Sequence, residues 1–376
     1  MGIDQILRNK ISLFSELANS FISTGIQIKF YSALVVSFIC IAYFIFFDLT
    51  IVGGELIFFA FLIGLIFRSF GVIEYYFDWK LESKINGIIR TFSFLIISAL
   101  YVIALMYEAP IYWFAFIFSG EFLISACLFS IAYRLEGKRP NWNINFQLVK
   151  EILKAGVPIL MCDIAICIFL RANQIFLSNM LSSDSVGIYS AAIRFSEFWY
   201  FIPSSLVVST FGLLTVSYSE SRDDFRKYTG LLFELMLILA ALITVFTYLF
   251  SEKIILFFYG PNYVESSAIL NVLILSNIFM FWGIMQEPID VARNALYWRF
   301  FRVSTGAVLS ILTGYFLISW FGAMGAAWAV VLTFFWTYFL SNLFYKKGWA
   351  IFSLQLRALL FLELFHFLRI RLLKNG

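Results

Sequence analysis

Apolar residues run along this chain in long blocks separated by short polar connections, and the strict alternation of a half-buried strand is absent. A helix needs blocks of about 18 to 24 apolar residues to cross a hydrocarbon core of roughly 30 Å. Read with the breakers between them, the blocks predict ten spanning helices: 30–48, 53–73, 90–107, 110–133, 156–179, 187–217, 229–250, 264–286, 302–320 and 325–345. The sixth is too long for one crossing, so its ends project or it bends. Pro203 offers the bend, because it has no N–H to bond back along the helix. Strand-length segments of the outer-membrane barrel kind are also missing.

Composition supports the pattern. Of 376 residues, 62% are hydrophobic and 13% charged, and the mean hydropathy is +0.89, far from the balance of a soluble domain. The fold class expected is an all-α polytopic membrane protein.

The net charge of +4 is informative through its distribution. Counted from a cytoplasmic N-terminus, the inside segments hold Arg8, Lys10 and Lys29, then Arg68, Lys80, Lys84 and Arg90, then Arg134, Lys138, Arg139, Lys150 and Lys154. Later inside segments add Arg222, Arg226 and Lys227, then Arg293, Arg299 and Arg302, then Lys346, Lys347, Arg357, Arg369, Arg371 and Lys374, while the outside loops hold Lys253 alone. Cytoplasmic connections retain positive charge, so an even number of spans with both termini cytoplasmic is expected. The basic excess then reflects insertion and does not point to nucleic acid.

Segment by segment, the chain reads as an amphipathic, interfacial N-terminal stretch (1–29), a four-helix lobe (30–133), a cytoplasmic interlobe loop (134–155), a six-helix lobe (156–345) and a cytoplasmic or interfacial tail (346–376). The first stretch lacks the apolar core and cleavage site of a signal peptide. It carries Ile3, Ile6, Leu7, Ile11 and Phe14 at helical spacing, which suits a surface helix or the end of a membrane helix. The loop "RLEGKRPNWNINFQLVKEILKAG" is the most polar inside connection, and its end reads as a short interfacial helix leading into span five.

Ionisable groups deep in a span are costly and face a bundle interior or an aqueous path. Glu121, Asp163, Arg171, Arg194 and Glu197 fall in this class. At about 1.5 Å rise per residue, Arg171 and Arg194 lie at similar depth in the outer half of spans five and six, while Asp163 is roughly 12 Å from Arg171 along its helix. Glu197 can pair with Arg194 one turn earlier or with Arg171 across helices. One reading is a buried pair fastening two helices. The other is a cationic patch meeting an anionic substrate, with arginine suited to phosphate oxygens and Asn173 and Gln174 supplying partners for sugar hydroxyls. Asn271, Ser276 and Asn277 in span eight fit the same lining role or helix-to-helix bonding.

Catalytic and metal chemistry find little material. The one histidine, His366, is in the tail, and Cys40, Cys127, Cys162 and Cys167 sit in apolar spans without metal-like spacing. No Ser/His/Asp set, paired loop carboxylates or glycine-rich phosphate loop is present, so no enzyme activity and no cofactor is expected. A polysaccharide polymerase would need a large outside loop, which this topology lacks.

"RANQIFLSNMLSSDSVGIYSAAIRFSEFWYFIP", Arg171 to Pro203, resembles the start of the second half of Wzx-type O-antigen and polysaccharide flippases, of the multidrug/oligosaccharidyl-lipid/polysaccharide exporter superfamily. "FFYGPNY", "FGAMGAAWAV" and "SLQLRALL" fall where that family has its glycine-rich turns and closing segment, and the likeness runs from about Gly2 to Leu360. The resemblance implies alternating-access movement of an undecaprenyl-pyrophosphate-linked oligosaccharide across the inner membrane, for O-antigen or lipopolysaccharide synthesis. Its implied partners are the lipid-linked oligosaccharide, membrane lipids, a polysaccharide polymerase and a chain-length regulator. Arg171 and Arg194 match positively charged positions of the family, whereas the family commonly has Asp where this chain has Asn173. "GIDQIL" resembles a segment that follows the family's second membrane helix. Ten spans then match a twelve-helix protein without its first two helices, and a transport-inactive remnant or a drug exporter of the same superfamily are the competing readings.

Overall fold

A backbone in lipid has no water to bond, so its N–H and C=O groups must pair within the segment, and apolar blocks of this length become helices. The computed structural model describes residues 2–13, 17–46, 54–80, 82–293, 295–346 and 348–361. Phe14, Lys347, His366, Glu363, Arg369, Arg371 and Lys374 lie outside them, as do the end of the first expected span and the start of the second. Among the described residues, eight helical segments are long and apolar enough to cross a membrane. The chain divides into two compact units, Met1–Leu160 and Met161–Gly376.

The first unit contains α1 (Gly2–Leu13), α2 (Ala18–Phe46), α3 (Gly54–Arg68), α4 (Glu74–Trp79), α5 (Ser83–Met106), α6 (Ile111–Leu135) and the beginning of α7 (Phe146–Met180). The stripe of α1 is turned into the protein: Leu7 and Ile11 are fully buried in a core with Phe21, Ile22, Phe77 and Tyr133. Charges assigned above to inside segments pair with carboxylates here. Arg8 meets Asp78 at 2.7 Å and lies 4.4 Å from the centre of the Tyr75 ring. Lys29 pairs with Asp4, Arg90 with Glu74, Lys80 with Glu136 and Lys10 with Glu151. The expected interfacial helix before span five is the first part of α7. The side chain of Asn145 caps it, its Oδ1 accepting from the N–H of Gln147 at 3.1 Å and of Leu148 at 3.2 Å.

The second unit continues α7 and adds α8 (Ser183–Phe198), α9 (Phe201–Glu220), α10 (Arg222–Tyr259), α11 (Ser266–Leu273), α12 (Asn277–Ala292), α13 (Leu296–Tyr338) and α14 (Trp349–Leu359). The sixth expected span is two helices, α8 and α9, broken four residues before Pro203 reaches its third position in α9. Pro203 cannot donate to the carbonyl of Trp199. That oxygen accepts instead from the N–H of Ile202 at 3.2 Å, a tighter turn that ends one helix and starts the next. The last two expected spans form one 43-residue helical segment interrupted at Gly322, whose φ of 59° and ψ of −139° suit only glycine. α10 is capped by Ser221, whose hydroxyl accepts from the N–H of Asp224 at 3.2 Å, and ends at Gly260 with φ of 81°.

Candidate functional site

The stretch of α7 leading to Arg171, Ile164 to Leu170, is apolar, so the charge must find a partner or an open face. Arg171 does both. Its side chain is 47% exposed, its Nη1 lies 3.8 Å from Glu197 Oε1 on α8, and the same nitrogen donates to Gln174 Oε1 at 3.3 Å, one turn along α7. Of the two partners open to Glu197, the structure selects Arg171. Arg194 is exposed on α8 and forms no ion pair among the described residues. A residue one turn from Glu197 on its own helix thus loses the carboxylate to one across the helix interface.

Glu197 also lines a narrow cleft beside α7 with Ser196, Tyr200 and Ser276, closed by Phe169 and Phe334. Ser276 is therefore at this cleft, its hydroxyl donating to the Leu273 carbonyl at 2.6 Å. Asn277 serves helix bonding: it accepts from the Ser196 hydroxyl at 3.0 Å and donates to the Ser196 carbonyl at 3.2 Å. Asn173 is also buried. Its amide presses against Gly314, where a Cβ would come 2.3 Å from Asn173 Oδ1, and it lies near the buried Tyr189 hydroxyl without a well-formed hydrogen bond. Asn173 thus faces α13 and Tyr189, whereas Gln174 is with Arg171. Glu121 is half-buried on α6 of the first unit, within electrostatic reach of Tyr101.

Helix geometry separates Asp163 from Arg171. The neighbouring Cys162 is within electrostatic reach of Arg299, Arg302 and Asp290 as well as Asp163, which places this end of α7 beside a buried charged network. Both arginines, counted above among the inside segments, belong to a helix. Arg299 and Arg302 lie in the first two turns of α13 and are 5% and 1% exposed. Arg302 Nη2 donates to Asp290 Oδ2 at 2.9 Å, and its Nη1 to Gln286 Oε1. Arg299 meets Glu287 at 2.6 Å. Gln286 in turn donates to the Tyr338 carbonyl at 2.8 Å, an oxygen that also accepts from Gln355 of α14 at 2.8 Å. In sequence, Gln286 and Asp290 are four apart and Arg299 and Arg302 three apart, the spacing of one helical face. That spacing was the available signal. The charge count assigns these arginines a side of the membrane and carries no information on their burial.

These features define a class: a multi-pass, all-helical membrane protein of transporter fold, with ionisable side chains built into its helices. The fold is similar to that of an inward-facing multidrug resistance MATE family transporter of the MOP superfamily, with TM-score 0.70 and 12% identity over 95% of this chain and 86% of that one. It is similar to the lipid II flippase MurJ in an inward closed conformation, with TM-score 0.67 and 15% identity over 97% and 83% of the two chains. A MATE structure in the bent conformation gives TM-score 0.65 and 13% identity over 95% and 84%. At these identities the likeness is one of fold. No curated protein sequence matches the chain significantly. The chain belongs to the polysaccharide biosynthesis protein family, whose model matches residues 1–214.

Proposed function

We propose that this protein moves a lipid-linked oligosaccharide, an undecaprenyl-pyrophosphate-linked repeat unit of O-antigen or a related surface polysaccharide, across the cytoplasmic membrane by alternating access. Both termini then lie in the cytoplasm, and the product passes to a polymerase and chain-length regulator. Family membership supports the saccharide, and the MurJ-like fold supports the movement of a lipid-linked substrate.

The observation that carries the site is the incomplete pairing of Arg171. An arginine at the centre of a spanning helix costs about 2.5 to 3.5 kcal/mol even on the most lenient scale. A helix fastener would recover that cost by closing both forks of the guanidinium on a carboxylate. Here both protein interactions use Nη1, at 3.3 and 3.8 Å, so Nη2 and Nε have no partner among the described residues. That leaves a planar pair of donors for a pyrophosphate, with Arg194 exposed on the next helix as a second positive charge and Glu197 holding Arg171 in place.

Replacing Arg171 and Arg194 together by alanine is expected to abolish surface polysaccharide while the protein stays in the membrane at its normal level. Arg171→Lys keeps the charge and loses the fork, so it is expected to retain part of the activity. Normal polysaccharide in the double variant, with membrane levels matched, refutes the site.

A further inference from the structure

We infer that the first unit carries a binding site for a neutral saccharide, in a cavity of about 400 Å³ between the start of α2 and the chain leading into α7. This deepens, and rests on, the reading of the substrate as a saccharide on a lipid carrier. The cavity lies within the roughly 300 to 1,000 Å³ range of small-molecule sites.

Helix length places it. α2 has 29 residues, about 44 Å at 1.5 Å each, against a hydrocarbon core of roughly 30 Å. Its first turns, "ANSFISTGIQ", therefore extend past the apolar layer, and they carry Ser20, Ser23, Thr24 and Gln27. Opposite them runs "NWNINFQ", in which Asn141, Asn143, Asn145 and Gln147 recur at every second position and all line the cavity.

Two bonds hold this wall in place. The N–H of Asn141 donates to Ser23 Oγ at 2.9 Å, and Gln27 Nε2 donates to the Asn141 carbonyl at 2.7 Å. With the backbone pinned by buried side chains, the Asn143 and Gln147 side chains stay exposed and make no hydrogen bond among the described residues. Thr24 is 3% exposed and lines the cavity. Beside it Gln27, 2% exposed, keeps its Oε1 without a protein partner.

The chemistry of this lining selects the ligand. Among the described residues no charged side chain lines the cavity, which argues against phosphate or a uronic acid, since either would be desolvated without a counter-charge. Carboxamides and hydroxyls offer donors and acceptors together, as vicinal sugar hydroxyls require. Phe146, 77% exposed, adds an apolar face at the rim.

The test uses the full chain in lipid nanodiscs, with saturation-transfer NMR to D-galactose, D-glucose, N-acetyl-D-glucosamine and L-rhamnose as probes. At least one neutral sugar is expected to receive saturation from the wild type. The signal should weaken roughly fivefold in Thr24→Val and further in Asn143→Ala/Gln147→Ala, at about that factor per lost hydrogen bond. The double variant alters exposed side chains only, so it tests the site without threatening the fold. Absence of saturation for every sugar, or equal signal in wild type and both variants, overturns the site. The same sugar on undecaprenyl pyrophosphate is expected to displace the free one; failure to displace overturns the headgroup as the source and leaves a free saccharide as the ligand. A wild type that translocates lipid-linked sugar but shows no saturation transfer refutes this cavity and leaves transport standing. One that binds sugar but translocates nothing refutes transport and leaves the cavity.

Discussion

Asp290→Ala leaves Arg302 as a guanidinium that is 1% exposed and has lost its 2.9 Å carboxylate partner. Removing one member of a buried pair costs about 3 to 5 kcal/mol in soluble proteins. Hydrogen bonds between membrane helices average nearer 0.6 kcal/mol, because groups left in the bilayer find other partners. Which figure governs depends on what else Arg302 can reach. Its Nη1 is already committed to Gln286, Gln286 to the Tyr338 carbonyl, and its Nε has no protein partner. The larger figure is therefore expected. At about 2 to 4 °C per kcal/mol for a unit of this size, the melting temperature should fall by roughly 6 to 20 °C. Thermal unfolding of the detergent-solubilised protein, followed by size-exclusion fluorescence, measures it. Asp290→Asn, which keeps an acceptor oxygen, should fall less. Asp290→Ala combined with Arg302→Met removes both charges and should recover most of the loss. A melting temperature for Asp290→Ala within a degree or two of wild type, or a double variant no better than the single, would refute the reasoning.

Close backbone approach makes a second test. A Cβ at Gly306 would lie 2.1 Å from the hydroxyl of the fully buried Thr337, so Gly306→Ala should cost about 1 to 3 kcal/mol, with recovery when Thr337→Ala is added; thermal unfolding reads both. Asp4 supplies a pH test. Burial raises its pKa, but the paired Lys29 together with a hydrogen bond from Tyr75 outweighs that and holds the carboxyl below its usual value. A carboxyl depressed in the folded state contributes stability that is fully present above the unfolded value of about 3.9 and is lost as pH falls through the folded one. Wild type should therefore lose more stability than Asp4→Asn on acidification through that range, and parallel curves would count against the pair.

Much of the fold was legible along the chain because membrane helices answer to length and apolarity. The segment from 296 to 344 splits at Gly322, inside the expected turn "WFGAMG", since a non-glycine residue cannot take that φ without strain. The break near Pro203 followed from its missing donor. The candidate site was legible in part. Glu197 had two geometrically equal partners in sequence, and only the placement of α8 beside α7 chose Arg171 over Arg194. The burial of Arg299 and Arg302 was not legible, because a charge count reads composition and cannot see packing.

What the sequence by itself determined was the class of molecule and where its long apolar helices run: water is excluded from the bilayer, so each apolar block must satisfy its own backbone, and that requirement is local. What only the tertiary structure decided was where each charge goes. An ion pair depends on distances between helices that sequence spacing does not encode. Arg171 was left half-exposed with donors to spare, while Arg302, also in a helix, was sealed into a bonded network with Asp290 and Gln286.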